Sequence, residues 1–95
     1  MKAVFNNKII AESNQTIRYD GSTYFPPDSI VPAYFRLDPD FSTTCSIKGT
    51  ATYYTVNVNG EIRDQAAWIY EDPKPEAASV KGYFAFWRGI RILKN

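Results

Sequence analysis

Histidine is absent from the 95-residue sequence, and cysteine occurs only once, as Cys45. Without histidine the chain cannot form a Ser-His or Cys-His nucleophile pair, an imidazole base near neutral pH or a His-ligated metal site. A single cysteine cannot form an internal disulfide or a Cys-rich zinc site, and this usage is typical of a reducing compartment. We therefore expect a cytoplasmic protein that holds no metal ion or other cofactor.

Long hydrophobic runs are also missing from the sequence. No stretch approaches the roughly 20 apolar residues that a membrane-spanning helix needs. The apolar residues near the start are interrupted by Asn6-Asn7 before they reach the length of a signal peptide. Neither membrane insertion nor export is therefore expected.

The net charge is only +1, but the charges are unevenly distributed. Every acidic residue lies within residues 1–80, whereas all charged residues among 81–95 are basic. These are Lys81, Arg88, Arg91 and Lys94. Residues 81–86 begin like the RNA-recognition motif, but Phe84 and Ala85 exchange its small and aromatic positions. Nucleic acid is therefore not expected as a partner, although a basic tail could contact another protein.

Aromatic residues are plentiful, with seven Tyr, six Phe and two Trp. At roughly 200 Å² of buried surface each, they can supply a core of about 3,000 Å². The chain contains no repeat and no linker-like segment. Residues 1–95 are therefore expected to form one small domain.

Strand signals dominate the sequence, because β-branched and aromatic residues are dense and no long stretch shows helical periodicity. Short helical turns are predicted only at residues 27–31 and 75–79, where proline stands near the first position. The pattern predicts a mainly β protein of two antiparallel sheets, forming a sandwich or an open barrel.

Three dipeptides mark tight hairpin turns, because their residues tolerate the positive φ of a type I′ turn. They are Asn6-Asn7, Asp20-Gly21 and Asn59-Gly60. The strands that they join are predicted at 4–5 and 8–12, at 16–19 and 22–25, and at 50–58 and 61–70. A last strand pair is predicted at 83–87 and 90–93, with a bend at Arg88-Gly89.

The period of two in residues 50–58 places Tyr53 on one face and Tyr54, Val56 and Val58 on the other. In the following strand the same period places Trp68 and Tyr70 on one face, next to the strand that carries Tyr53. If Lys48 reaches the same face of the sheet, these side chains form an aromatic pocket with one cation. Such a pocket suits a small anionic or planar polar molecule.

Cys45 and Lys48 form the most reactive-looking local pair, since a nearby ammonium lowers the pKa of a thiol. They point to opposite faces of a straight strand, so they meet only if residues 46–47 form a turn or a bulge. An inert buried thiol is the expected role of Cys45, with a nucleophile as the alternative. The neighbouring carboxylates of Asp38-Pro39-Asp40 are expected to stabilise a turn rather than to bind a cation.

Four blocks of sequence occur together in a specific order and spacing. They are Tyr24-Phe25-Pro26-Pro27, residues 45–54, Ala67-Trp68-Ile69-Tyr70 followed by Pro73 and Pro75, and Gly82 followed by Ala85-Phe86-Trp87. With them the chain resembles the domain of unknown function 427 family over nearly its whole length. That family carries a nucleotidyltransferase-like label, but Lys48-Gly49-Thr50 lacks the glycines and the helix of a phosphate-binding loop.

The resemblance implies the β-tent fold, in which two antiparallel sheets meet at an angle. Relatives of that fold, such as the B-type methionine sulfoxide reductases, anchor it with a zinc ion on four cysteines. Because this chain has only Cys45, hydrophobic packing must replace the metal. Other β-tent proteins bind ligands in an aromatic cage, which agrees by analogy with the pocket inferred above.

We therefore expect a domain that binds a small polar or anionic molecule, and the sequence assigns no catalytic residue. The candidate ligand-binding residues are Tyr24, Cys45, Lys48, Tyr53, Trp68 and Tyr70. The alternative is a protein-interaction or structural module that uses an edge strand or the basic C-terminal tail.

Overall fold

The computed structural model describes all residues from Met1 to Asn95, and nine β-strands make up most of them. The strands are β1 Lys2–Phe5, β2 Lys8–Glu12, β3 Ile17–Tyr19, β4 Ser22–Tyr24, β5 Phe35–Cys45, β6 Gly49–Val58, β7 Glu61–Ile69, β8 Ala85–Phe86 and β9 Arg91–Leu93. All strand pairs are antiparallel. The prediction of a mainly β protein with antiparallel sheets is confirmed.

The strands form three sheets rather than the two that the sequence predicted. Their orders are β2-β1-β9, β3-β4 and β5-β6-β7-β8. The third sheet arises because the β3-β4 hairpin joins the large sheet only through an isolated bridge between Phe25 and Phe84, so its ladder is not continuous. The radius of gyration is 12.5 Å, close to the value of about 12.4 Å expected for one compact unit of this length.

All three predicted hairpin turns are present. The two turn residues between β1 and β2, Asn6 and Asn7, have φ values of 49° and 63°. The corresponding values are 49° and 82° for Asp20-Gly21, and 53° and 90° for Asn59-Gly60. Positive φ at both central positions matches the right-handed twist of the flanking strands, so these dipeptides fix the register of three hairpins.

The alternation in β6 and β7 divides the interior into two cores. Val56, Val58 and Ile69 belong to a larger core that the β2-β1-β9 sheet also contributes to. Tyr53 and Tyr70 belong to a smaller core beneath the β3-β4 hairpin, and Trp68 packs against it. The opposite faces of one sheet therefore build one core each, and the smaller one is rich in tyrosine.

The longest strand, β5, was not predicted from the sequence, and the turn expected at Asp38-Pro39-Asp40 is wrong. Pairing with β6 passes from Asp38 opposite Tyr53 directly to Ser42 opposite Thr52, so the three residues between them bulge out of the ladder. A proline is tolerated there because β5 is an edge strand and the bulge requires no donor from Pro39.

Helical structure is limited to three short 3-10 segments: Pro27–Ser29, Pro32–Tyr34 and Pro75–Val80. The first and the last lie at the predicted places, and each begins with proline. Of the predicted strand at 83–87 only β8 is regular. After it, Arg88 and Gly89 take positive φ, and the chain turns there before β9. No helix has the length and apolar character required to cross a membrane.

Candidate functional site

A cavity of about 210 Å³ lies where the β3-β4 hairpin meets the large sheet. We call it the aromatic pocket. Its lining residues are Asp20, Ser22, Tyr24, Lys48, Tyr53, Trp68, Tyr70 and Trp87. They come from two hairpin turns and from strands that are far apart in the sequence, so only the tertiary fold assembles them.

Five of the six residues selected from the sequence line this cavity, and the sixth does not. Tyr24, Lys48, Tyr53, Trp68 and Tyr70 are brought together there. Cys45 is not part of the lining, although it ends the strand that leads into the turn containing Lys48.

Tyr53 and Trp68 form one wall of the pocket because they are register partners on neighbouring strands. Their ring centroids are 6.4 Å apart. Phe41 packs edge-on against the Tyr53 ring at 4.9 Å, and the hydroxyls of Thr43 and Tyr53 share a hydrogen bond of 3.0 Å. The Tyr53 ring is therefore fixed by β5 and presents a set surface to the pocket.

Tyr24 forms the floor of the pocket and is only 1% exposed. Its hydroxyl accepts a hydrogen bond from the indole Nε1 of Trp68 at 3.3 Å, and the two rings meet edge-on at 89°. Burial raises the pKa of Tyr24, and it also raises that of Tyr70. Both phenols are therefore neutral at physiological pH and can donate as well as accept hydrogen bonds.

Lys48 is not a free cation, because its Nζ binds the carboxylate of Asp20. Hydrogen bonding to Asp20 raises the pKa of Lys48. The same ammonium lies 5.7 Å from the centroid of the Tyr19 ring. The aromatic pocket therefore has one charge of each sign at its mouth, where the sequence predicted a single positive charge.

Cys45 is half-buried, which corrects the expectation of a thiol inside the core. Residues 46–48 form a turn, the condition under which the sequence placed Cys45 near Lys48. The backbone N–H groups of Ile47 and Lys48 lower the pKa of Cys45, and the Lys48 ammonium adds a smaller effect in the same direction. The thiolate is thus stabilised chiefly by the turn itself.

Sequence reasoning missed three lining residues: Asp20, Ser22 and Trp87. The first two were assigned only to a turn and a strand, and nothing local shows that this turn approaches Lys48. Trp87 was assigned to a strand, but it lies just beyond β8 and is 42% exposed. Its centroid is 5.8 Å from that of Trp68, a contact that no sequence period encodes.

Trp87 is held in place from two sides. Its Nε1 donates to the backbone carbonyl of Gln65 at 2.5 Å, and the guanidinium of Arg88 lies 4.6 Å from its ring centroid. Arg88 in turn donates to the carbonyl of Asp64 and to the Oε1 of Gln65. Part of the basic tail is therefore engaged in supporting the rim of the pocket.

The acidic side chains and Cys45 do not form a metal centre. No group of three or more His, Cys, Asp or Glu side chains lies close enough together to hold a metal ion. The available chemistry is aromatic stacking, neutral hydroxyl groups and one ion pair.

Comparison with known proteins agrees with the resemblance in the sequence. No curated protein matches the chain. The family model described as domain of unknown function (DUF427) matches residues 1–92. Since this match covers nearly the whole chain, from β1 into β9, the chain belongs to the DUF427 family.

Proposed function

We propose that this domain binds a small, planar, polar molecule in the aromatic pocket. The observation that carries the proposal is the convergence on one cavity of aromatic side chains with an ion pair at its mouth. Pockets for small molecules combine apolar aromatic walls with a few polar groups that fix orientation, and this cavity has both.

The size of the pocket limits the ligand. Its volume of about 210 Å³ is below the range of roughly 300–1,000 Å³ typical of drug-sized ligands. A single substituted ring fits this volume better than a nucleotide or a disaccharide. The wall of Tyr53 and Trp68 favours a flat molecule, because aromatic rings gain most from stacked or edge-on contacts.

The charges at the mouth determine the polarity of the ligand. Lys48 and Asp20 neutralise each other, so a molecule with both a donor and an acceptor, such as an amide-containing heterocycle, needs no displacement of either side chain. A purely anionic ligand must displace Asp20 from Lys48. Exposed ion pairs contribute only about 0–1 kcal/mol, so breaking this pair costs little free energy but still lowers the affinity for anions.

The competing interpretation is that these aromatic residues simply fill a core. It suits Tyr24 and Tyr53, which are buried. It does not suit Trp87, which lines the same cavity while 42% of it stays in contact with solvent. A large apolar ring held at an open rim by Gln65 and Arg88 is an arrangement that ligand binding explains better than core packing.

The proposal is tested by a thermal-shift screen of wild type, Lys48→Ala and the control Lys94→Ala. The compounds are pyrimidines, small cyclic amides, carboxylates and sugar phosphates. A ligand at 100 times its Kd stabilises the folded state by about 2.7 kcal/mol, and the melting temperature then rises on the order of 10 °C. We expect a rise in wild type and Lys94→Ala but not in Lys48→Ala. Equal rises in all three proteins would remove Lys48 from the site.

The alternative, a protein-interaction module, has less structural support. The outer edge of β5 is unpaired, but Pro39 and the bulge around it interrupt the edge that a second strand would extend. Arg88 of the basic tail is already engaged with Gln65 and Trp87. A partner that binds the remaining basic residues would dissociate as the salt concentration rises.

The proposal includes two further expectations from the sequence. Residues 1–95 act as one domain, and the protein works in the cytoplasm, where Cys45 stays reduced.

A further inference from the structure

We propose that a second site, separate from the aromatic pocket, binds a small organic anion through Arg36. The largest cavity of the protein has a volume of about 440 Å³ and lies beside the β6-β7 turn. It shares no lining residue with the aromatic pocket. We call it the Arg36 cavity. Its volume falls within the usual range of ligand sites, roughly 300–1,000 Å³.

Arg36 is the only charged residue that lines this cavity. Its side chain is exposed, and no carboxylate lies within 4.0 Å, since the protein's only ion pair joins Lys48 to Asp20. Arg36 also donates no side-chain hydrogen bond within the protein. A guanidinium presents five donors in a planar fork that matches a carboxylate or a phosphate, and here all of them are free for a ligand.

Two asparagines add further donors to the Arg36 cavity. The Oδ1 of Asn57 accepts a hydrogen bond from the backbone N–H of Gly60 at 3.0 Å, which fixes that amide and leaves its NH₂ group without a partner. Asn59 also lines the cavity, and its side chain has no partner in the protein. The lining thus contains a free cation and free amide donors but no carboxylate, which is the composition of an anion site.

The apolar part of the lining determines which anion fits. Ile62 is 49% exposed, and it lines the cavity together with the half-buried Tyr34 and Phe35. Inorganic phosphate would leave these surfaces uncovered. A carboxylate attached to one aromatic ring would cover them and place its charge against Arg36.

Two carboxylates near Arg36 could compete with an anion. Asp38 and Asp64 line an adjoining hollow that Arg36 also borders. The Oδ2 of Asp38 is already bound to the Nε2 of Gln65 at 2.6 Å. Both carboxylates lie more than 4.0 Å from Arg36, so its guanidinium is not neutralised in the way that Lys48 is.

An NMR titration with phenylacetate tests this site, with phenylacetamide as the neutral analogue of equal shape. We expect phenylacetate to move the backbone signals of Arg36 and Gly60 and the side-chain NH₂ signals of Asn57 and Asn59 in a saturable way. Phenylacetamide should bind at least about tenfold more weakly, because it makes no charged hydrogen bond to the guanidinium.

The control for this titration is another exposed arginine on a short strand, Arg91. Arg36→Ala should abolish the shifts, whereas Arg91→Ala should retain them. The proposal is overturned if phenylacetate moves none of these signals, or if Arg36→Ala responds like wild type. It is also overturned if only signals of the aromatic pocket respond, an outcome that would support the proposed function alone.

Discussion

Lys48 and Asp20 form the only ion pair of the protein, and they come from the turns of two different hairpins. Asp20 belongs to the β3-β4 turn, whereas Lys48 ends the turn that enters β6. Their contact joins the small hairpin to the large sheet across the mouth of the aromatic pocket. The polarity of the pocket therefore depends on a tertiary contact rather than on any local motif.

Replacing Asp20 by Asn should free the Lys48 ammonium. Because hydrogen bonding to Asp20 is the largest cause of the raised pKa of Lys48, we expect that pKa to fall. The free energy of unfolding should change by less than about 1 kcal/mol, as is usual for an exposed pair. An NMR titration of the lysine side chain measures the pKa. An unchanged pKa in Asp20→Asn would contradict the contact, and Asp28→Asn is the matched control.

The free energy of unfolding should fall at alkaline pH. Burial raises the pKa of Tyr24, Tyr54 and Tyr70, so these phenols ionise first in the unfolded chain and favour it once the pH exceeds the ordinary tyrosine value. The raised pKa of Lys48 acts in the same direction, since its contribution is complete at neutral pH and is lost as the pH rises through that pKa.

This alkaline effect is measured by urea unfolding at several pH values together with tyrosinate absorbance. We expect the phenols of Tyr24, Tyr54 and Tyr70 to titrate above the ordinary tyrosine value in the folded protein. Tyr70→Phe should remove one of these late groups. If no phenol titrated above the ordinary tyrosine value, the burial of these three side chains would be refuted.

Cys45 should react with iodoacetamide as a thiol of lowered pKa. Since backbone N–H groups of Ile47 and Lys48 are the main cause, Lys48→Ala should keep most of the lowering. The midpoint of the rate against pH measures the pKa in both proteins. A midpoint at or above that of an ordinary thiol would show that the turn does not stabilise the thiolate.

The variant Gln65→Gly should have a higher free energy of unfolding than Gln65→Ala. The φ of Gln65 is 50°, opposite Thr55, where the β6-β7 register shifts, and a side chain at that angle costs about 1 kcal/mol. Both variants lose the hydrogen bonds of the amide to Asp38 and Arg88, but only Gln65→Gly also removes the backbone strain. Urea unfolding should therefore rank Gln65→Gly about 1 kcal/mol above Gln65→Ala. The opposite order would exclude this backbone geometry.

The predictable parts of this fold are those with a local cause. The φ requirement of Asn6-Asn7 and Asn59-Gly60 fixed the hairpins, and the period of two placed Tyr53 and Trp68 on one face. The strand β5 was missed because Pro39 is a turn signal unless the strand happens to be at an edge, and that is a property of the sheet.

The same distinction applies to the aromatic pocket. Lys48 was selected for its chemistry, but its partner Asp20 is 28 residues away. The sequence assigned Asp20 only to a hairpin turn. Trp87 was assigned to a strand, and its place at the pocket was missed. That place depends on a hydrogen bond to Gln65, whose positive φ has no sequence signal. Long-range pairing of side chains is therefore what sequence reasoning could not supply.

The two tryptophans provide the most direct test of whether the aromatic pocket binds a small planar molecule. Both line the pocket, and their indole N–H groups have different partners: Trp68 donates to Tyr24, and Trp87 donates to Gln65. We expect two indole signals in a ¹⁵N NMR spectrum, one for each Trp in the sequence.

The measurement is a titration of these indole signals with the small cyclic amides and pyrimidines. We expect at least one compound to move both signals in a saturable way in wild type and in Lys94→Ala, and to lose this effect in Lys48→Ala. If no compound moves either indole signal, or if Lys48→Ala responds as wild type does, the account of the aromatic pocket as a ligand site is contradicted.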